Sequence, residues 1–206
     1  MSFIAMMKLP IVTLSVALAT CVLYVLLGAM PEVLIWHHGE GHSAWQWLTA
    51  HFVHISVEHL LWNVAALVLL GSIIEQNSRI ALLLALLAGV IGVNVYLALF
   101  YTLNAYAGLS GVLNAVLVVA LYQFYLKPGY KFASALTFVL SVLKVAVEYQ
   151  LNLSLFSTLP WPSVPQAHFA GLVAGAGLVL VVGFSYELVR WPSICKDLRD
   201  SDRGAV

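Results

Sequence analysis

Apolar residues gather into six runs along the chain, at about 9–30, 58–75, 80–102, 108–126, 131–150 and 166–190. A helix needs about 20 mainly apolar residues to cross the hydrocarbon core of a bilayer, so each run predicts a transmembrane helix. Gly28 and Pro31, Pro128-Gly129 and Pro160-Trp161-Pro162 stand at or near the ends of runs, where helix-breaking residues punctuate a chain. The second and fourth runs are the shortest, and both carry polar residues near one end. The first, from Leu9 to Met30, is long enough to span and has no clear small-residue cleavage site, so it reads as a retained helix. No repeat, low-complexity tract or soluble domain interrupts the pattern. The expected architecture is one all-α, polytopic membrane domain over residues 1–206, with a short polar tail at about 192–206.

Composition makes lipid the solvent. The 206 residues are 62% hydrophobic and 9% charged, with a mean hydropathy of +0.97. A soluble domain is roughly 45–50% apolar and about 25% charged. The formal net charge is zero, which argues against a nucleic-acid partner. Cys21 lies in an apolar run and Cys195 in the polar tail; neither forms a disulfide framework or a metal-ligand spacing.

The basic residues set the orientation. Lys8 precedes the first run, Arg79 separates the second and third, and Lys127 and Lys131 separate the fourth and fifth. Arg190, Lys196, Arg199 and Arg203 lie at and beyond the end of the sixth, so eight of the nine Lys and Arg residues fall on one side. The positive-inside rule makes that side cytoplasmic and places both termini inside. The ninth, Lys144, stands one turn before Glu148 and reads as half of a local i,i+4 ion pair. The longest external loop joins runs one and two and carries Trp36, Trp45 and Trp47, which favour the membrane–water boundary. It is expected to lie partly embedded in the outer leaflet. Its His37, His38 and His42 read as an interfacial cluster, because no carboxylate pattern completes a metal site around them.

Polar groups inside spans are costly and by default mark function or interhelical contacts. Entered from the outside, run two opens with His54, Glu58, His59 and Asn63, run four with Gly108-Leu109-Ser110-Gly111, and run six with Gln166-Ala167-His168. Three helices thus deliver polar side chains to one depth, in the outer half of the bilayer. His59 and Asn63, four residues apart, share a helix face. Taken singly, each has a structural explanation: a serine bonds a carbonyl in the preceding turn, and a histidine or asparagine bonds a neighbouring helix.

Together they support chemistry. A serine hydroxyl is a poor nucleophile until a base takes its proton, and histidine is the usual base near neutral pH. Gly108 and Gly111 remove bulk on either side of Ser110, so that another helix or a substrate backbone can approach. Ala167, Gly171 and Gly175 repeat at four-residue spacing, a small-residue face that permits close helix contact and sets His168 beside Ser110. With no acidic residue seen at this depth except Glu58, the unit reads as a Ser110–His168 dyad. His59, Asn63 and the Ser110 backbone N–H are candidate donors to a developing oxyanion.

These residues, in this order, resemble the rhomboid family of intramembrane serine proteases. The likeness runs from about Trp47 to Gly175 and includes His54, His59-Leu-Leu-Trp-Asn63, Glu75, Gly108-Leu-Ser110-Gly111 and Ala167-His168-Phe-Ala-Gly171. It implies a six-helix rhomboid-like bundle, Ser110 as nucleophile, His168 as general base and acid, and His59 with Asn63 at the oxyanion. His54, Gly108, Gly111 and Gly171 would shape the site, with no cofactor or metal. The substrates implied are single-pass membrane proteins cut in their transmembrane segment near the outer face. The location implied is a bacterial cytoplasmic membrane, with the site toward the periplasm. Two departures stand out: Asn114 occupies the position where many rhomboids carry a tyrosine under the histidine, and the Trp-Arg pair common in the first external loop is missing. With the bare six-helix size, they make the chain resemble the rhombosortase branch, which is thought to process proteins bearing a C-terminal Gly-Gly motif, a transmembrane helix and a basic tail.

Three rival readings make distinct demands. A catalytically silent rhomboid relative that escorts membrane clients usually lacks the serine or the histidine; both are present. A transporter would show inverted repeats or polar residues spread through the bilayer depth. A metal-dependent hydrolase using His51, His54 and His59 would need them on one helical face, which spacings of three and five residues do not provide, and no HExxH occurs.

Overall fold

The computed structural model of the chain describes residues 8–29, 31–39, 43–100, 104–151 and 164–183. All six apolar runs form helices. They are α1 (Ile11–Leu27), α3 (Val57–Asn77), α4 (Arg79–Phe100), α5 (Ser110–Tyr125), α6 (Lys131–Leu151) and α7 (Pro165–Gly183). A short helix, α2 (Gln46–Thr49), continues into a 3-10 turn at Ala50–Phe52 within the first loop. By length and composition α3, α4, α6 and α7 are apolar and long enough to cross a membrane, while α1 and α5 are shorter apolar helices. The predicted sixth run beyond Gly183, the polar tail, Trp161-Pro162, His42 and Cys195 lie outside the described residues.

The fourth run starts two residues later than its apolar pattern suggests. Gly108 adopts φ +124°, a conformation that L side chains rarely adopt, and its Cβ position is filled by the His59 ring. The chain therefore turns at Gly108-Leu109, and the helix begins at Ser110. From there α5 is buried on nearly every side, with Gly111, Val112, Leu113, Ala115, Val116, Val118, Val119 and Ala120 all in the interior. A helix buried all round belongs at the centre of a bundle. Small residues let its neighbours close in: a Cβ at Gly89 of α4 would meet Val112 Cα at 2.8 Å, and one at Gly175 of α7 would meet Ala115 Cα at 2.8 Å. The outward faces remain apolar and exposed, as on Leu61, Trp62 and Leu69 of α3 and Leu83, Leu87 and Ile91 of α4. Water would not tolerate that surface; lipid does.

One end of the bundle is tied by a carboxylate. Pro10, at the N-cap of α1, offers no side-chain cap, so the free N–H groups of the first helical turn need an external acceptor. Glu75, near the end of α3, accepts from Val12 N (3.0 Å), Thr13 N (2.9 Å) and Thr13 Oγ1 (2.9 Å). Arg79 Nε lies 3.3 Å from the same carboxylate. Lys8 N donates to Gln76 Oε1 at 2.9 Å, and Asn77 Nδ2 donates to Gln123 Oε1 of α5 at 2.8 Å. Lys8 and Arg79 thus meet at one end of the bundle.

The other end is roofed by the first loop. Trp36–His37 and Ala105–Tyr106 form a two-residue antiparallel ladder, Trp36 opposite Tyr106. Thr49 Oγ1 donates to Leu34 O (2.9 Å), Trp45 Nε1 to Val33 O (3.0 Å) and Gln46 Nε2 to Glu32 O (3.2 Å). Asn94 of α4 bridges the loop to the bundle, donating to Trp47 O at 2.8 Å and pairing with His51 Nε2 at 3.0 Å.

Candidate active site

Ser110 is the first residue of α5, His168 the fourth of α7, and His59 the third of α3. Because α3, α5 and α7 all start at the roofed end, their first turns meet beneath the loop. Ser110 Oγ lies 2.9 Å from His168 Nε2. The approach depends on the small-residue face of α7: a Cβ on Gly171 would overlap the Gly111 carbonyl oxygen, and one on Gly111 would sit 3.1 Å from Ala167 O. His168 is only 8% exposed, so its hydrogen bond with the serine forms out of bulk water, where electrostatic interactions are stronger.

His59 packs over the turn that precedes the serine. Its backbone N–H donates to Ser56 Oγ, the N-cap of α3, at 3.1 Å. A Cβ on Gly108 would come within 2.6 Å of the His59 ring. The gap left by Gly108 therefore holds a protein imidazole rather than open space for substrate, and that left by Gly111 is shared by Val93 of α4, the Tyr106 hydroxyl and Ala167 of α7. The turn is held further by Gly108 N, which donates to Ala50 O (2.8 Å), and by Tyr106 Oη, which donates to Gly108 O (2.8 Å). Asn63 is buried beside His59 on the same helix, and its amide donates to His59 O at 2.9 Å. One of its two N–H groups is thereby engaged within the helix, leaving the second as the donor available to a ligand.

His51 and His54, on the loop entering α3, are fully buried. Burial pushes the His51 imidazole down to about 4, against the opposing pull of its Asn94 hydrogen bond. Burial, and then the neighbouring His59, hold His54 at about 3. Both are therefore neutral around pH 7. The His54 and His59 rings meet edge to face with centroids 4.9 Å apart, so His54 fixes the plane in which His59 is presented. No group of three His, Cys, Asp or Glu side chains with metal-binding geometry occurs among the described residues. His37 instead pairs with Glu32 at 2.9 Å.

One acidic side chain corrects the expectation that none but Glu58 reaches this depth. Glu148 of α6 is 1% exposed, and its Oε2 lies 3.6 Å from His168 Nδ1 as well as 2.8 Å from Lys144 Nζ. The Lys144–Glu148 pair expected from the sequence is present, but it is not the whole environment of that carboxylate. A signal was available: α6 runs from Lys131 to Leu151 toward the roofed end, so counting along the helix puts Glu148 level with the first turns of α5 and α7. Asn114, where a tyrosine is common in the resembling family, donates to Ser110 O at 2.9 Å.

A family model described as the rhomboid domain matches residues 41–185. A comparison with curated proteins gives no match. That span covers every residue of the cluster above. With its apolar helices, the chain is an integral, polytopic membrane protein of the all-α class.

Proposed function

The chain belongs to the rhomboid family, and from that premise we propose that it is an intramembrane serine endopeptidase in which Ser110 is the nucleophile and His168 the general base and acid. The observation that carries this reading is the 2.9 Å contact between Ser110 Oγ and His168 Nε2. In the acylation step Oγ attacks the scissile carbonyl carbon as its proton passes to His168 Nε2. The tetrahedral intermediate then collapses, the peptide C–N bond breaks, and His168 returns the proton to the departing amine. Water attacks the resulting ester by the same proton route, which regenerates the serine. No other reactant enters the balance.

The oxyanion forms at the N-terminus of α5, where the first-turn N–H groups have no intrahelical acceptor and the helix dipole favours negative charge. The Ser110 N–H, the His59 ring and the second N–H of Asn63 are its donors. Losing one such donor typically costs about 2.7–4 kcal/mol of transition-state stabilisation. In this reading all six apolar helices span the membrane, both termini are cytoplasmic, and the site opens toward the periplasm of a bacterial inner membrane. The substrates are single-pass membrane proteins whose transmembrane segment unwinds at α3 or α6 to present an extended peptide. Asn114 and the missing Trp-Arg pair favour the rhombosortase-type substrate, a C-terminal Gly-Gly anchor, whose small residues ease that unwinding.

The test is fluorophosphonate labelling of the detergent-purified protein: Oγ bonds to phosphorus, the P–F bond breaks, and the serine proton leaves through His168. Wild type is labelled, Ser110→Ala is not, and His168→Ala reacts at least about 10⁴-fold more slowly. A folded wild type that stays unlabelled at high probe concentration overturns the protease reading.

A further inference from the structure

Glu148 has no role in the reaction as written, yet its position is unusual. α6 is the most exposed of the long helices, burying fewer side chains than α3 or α4. Its buried side chains are Ser134, Val145 and Glu148. An ion pair with Lys144 alone needs no such burial, since an i,i+4 pair forms equally well on an exposed helix face. Val145, one turn earlier, joins Val118 of α5 and Leu172 of α7 in one apolar cluster, so α6 is rotated to aim Glu148 between those two helices.

The proton route makes a demand that this carboxylate meets. If His168 Nε2 is to accept the serine proton, the neutral imidazole must carry its own proton on Nδ1. His168 Nδ1 is buried and has no hydrogen-bond partner among the described residues, and Glu148 Oε2 is the acceptor 3.6 Å away. That distance is longer than a hydrogen bond, as pairs of this kind often are before substrate binds. We propose that Glu148 is the positioning residue of His168, holding the Nδ1–H tautomer and stabilising the imidazolium formed during proton transfer. The proposal rests on the Ser110–His168 reading and extends it from a dyad to a Ser–His–Glu relay supplied by α5, α7 and α6. It also gives His168 the support that a tyrosine in place of Asn114 would otherwise provide. Among the described residues, the other titratable groups near this contact are His59 from α3, Lys144 on α6, and the Tyr96 and Tyr106 phenols beside the Ala167–Ala170 cluster.

The experiment compares fluorophosphonate labelling rates of wild type, Glu148→Gln, Glu148→Asp and Lys144→Gln, with the tautomer of His168 read from the ¹⁵N-histidine spectrum. Glu148→Gln slows labelling roughly 100-fold, because the amide can donate to Nδ1 and select the wrong tautomer. Glu148→Asp recovers to within about tenfold of wild type, and Lys144→Gln stays within about threefold. Equal losses in Glu148→Gln and Lys144→Gln, or no loss in either, would reduce Glu148 to the partner of Lys144 and overturn the proposal. So would a wild-type His168 carrying its neutral-state proton on Nε2, a readout that stands even if Glu148→Gln does not fold. An unlabelled wild type removes the Ser110–His168 reading itself, whereas a labelled wild type with an unaffected Glu148→Gln removes only this extension.

Discussion

Two carboxylates are buried at opposite ends of the bundle, and they are used differently. Glu75, 3% exposed, takes three hydrogen bonds from the first turn of α1 and an ion pair from Arg79. Glu148, 1% exposed, faces Lys144 on its own helix and, at longer range, a histidine nitrogen that lacks a hydrogen bond. Around Glu75 the buried donors have acceptors. At the end where Glu148 lies, His168 Nδ1 and His59 Nδ1 are buried without a hydrogen-bond partner among the described residues. Buried polar groups are normally satisfied, and a cluster of exceptions calls for a reason. Saturation at one end marks a clamp; at the other, the proposed relay turns His168 Nδ1 toward Glu148 and uses His59 as a donor to the oxyanion.

The contrast predicts that the two ends separate stability from chemistry. Glu75→Ala strands the Val12 and Thr13 donors and removes the partner of Arg79, so α1 loses its cap and one of its ties to α3. Stranding such donors typically costs about 1–3 kcal/mol each, which outweighs the loss of the contact with Arg79, whose side chain is half exposed. Reversible unfolding in mixed detergent measures it, and the folded fraction keeps its fluorophosphonate labelling rate within about threefold. Lost labelling in a fully folded Glu75→Ala protein would erase the distinction between the two ends.

A smaller change at the α5–α7 contact sharpens the comparison. Gly171→Ala drives a methyl into the Gly111 carbonyl, and α7 must shift to relieve it. Overpacking of this sort costs about 1–3 kcal/mol, and a displacement of about 1 Å at the reacting atoms lowers rate on the order of 100-fold. Gly177 is the control on the same helix. Among the described residues nothing lies within 4 Å of its Cβ position, so Gly177→Ala leaves labelling unchanged and adds up to about 1 kcal/mol through helix propensity. Equal rates in the two variants would show that the tight crossing does not set the Ser110–His168 distance.

Much of this arrangement was legible from run length and depth. Alternating helix direction put Ser110, His168 and His59 at one level, and the spacing of Ala167, Gly171 and Gly175 foretold the close crossing of α5 and α7. Rotation of a helix about its own axis was not legible. Lys144 gave Glu148 a sufficient local partner, and α6 is apolar on its lipid side as well as its protein side, so no stripe marked which way the carboxylate turns. Nor could the chain reveal what fills the space beside Gly108, because the His59 ring comes from a helix some fifty residues earlier and lodges there only once the turn takes its positive φ. The first loop follows the same rule. Its Trp36–Tyr106 ladder and the Asn94 bridge join residues far apart in sequence.

The smallest predicted effect lies at the N-cap of α3. Ser56 Oγ accepts from His59 N at 3.1 Å, with Ser56 itself extended at φ −157° and ψ 163°. Replacing such a cap by alanine costs about 1 kcal/mol, less than either change above. At the Glu75 end a loss of that size would show only in the unfolding midpoint. At this end it also frays the turn that carries His59, whose ring is wedged against Gly108 immediately before the nucleophile. Ser56→Ala should therefore lower stability by about 1 kcal/mol and slow labelling several-fold, while Ser56→Asp, which caps as well as serine, restores both. If stability falls and the labelling rate holds, the first turn of α3 is a support for the loop alone, and His59 does not depend on its cap for its place beside Ser110.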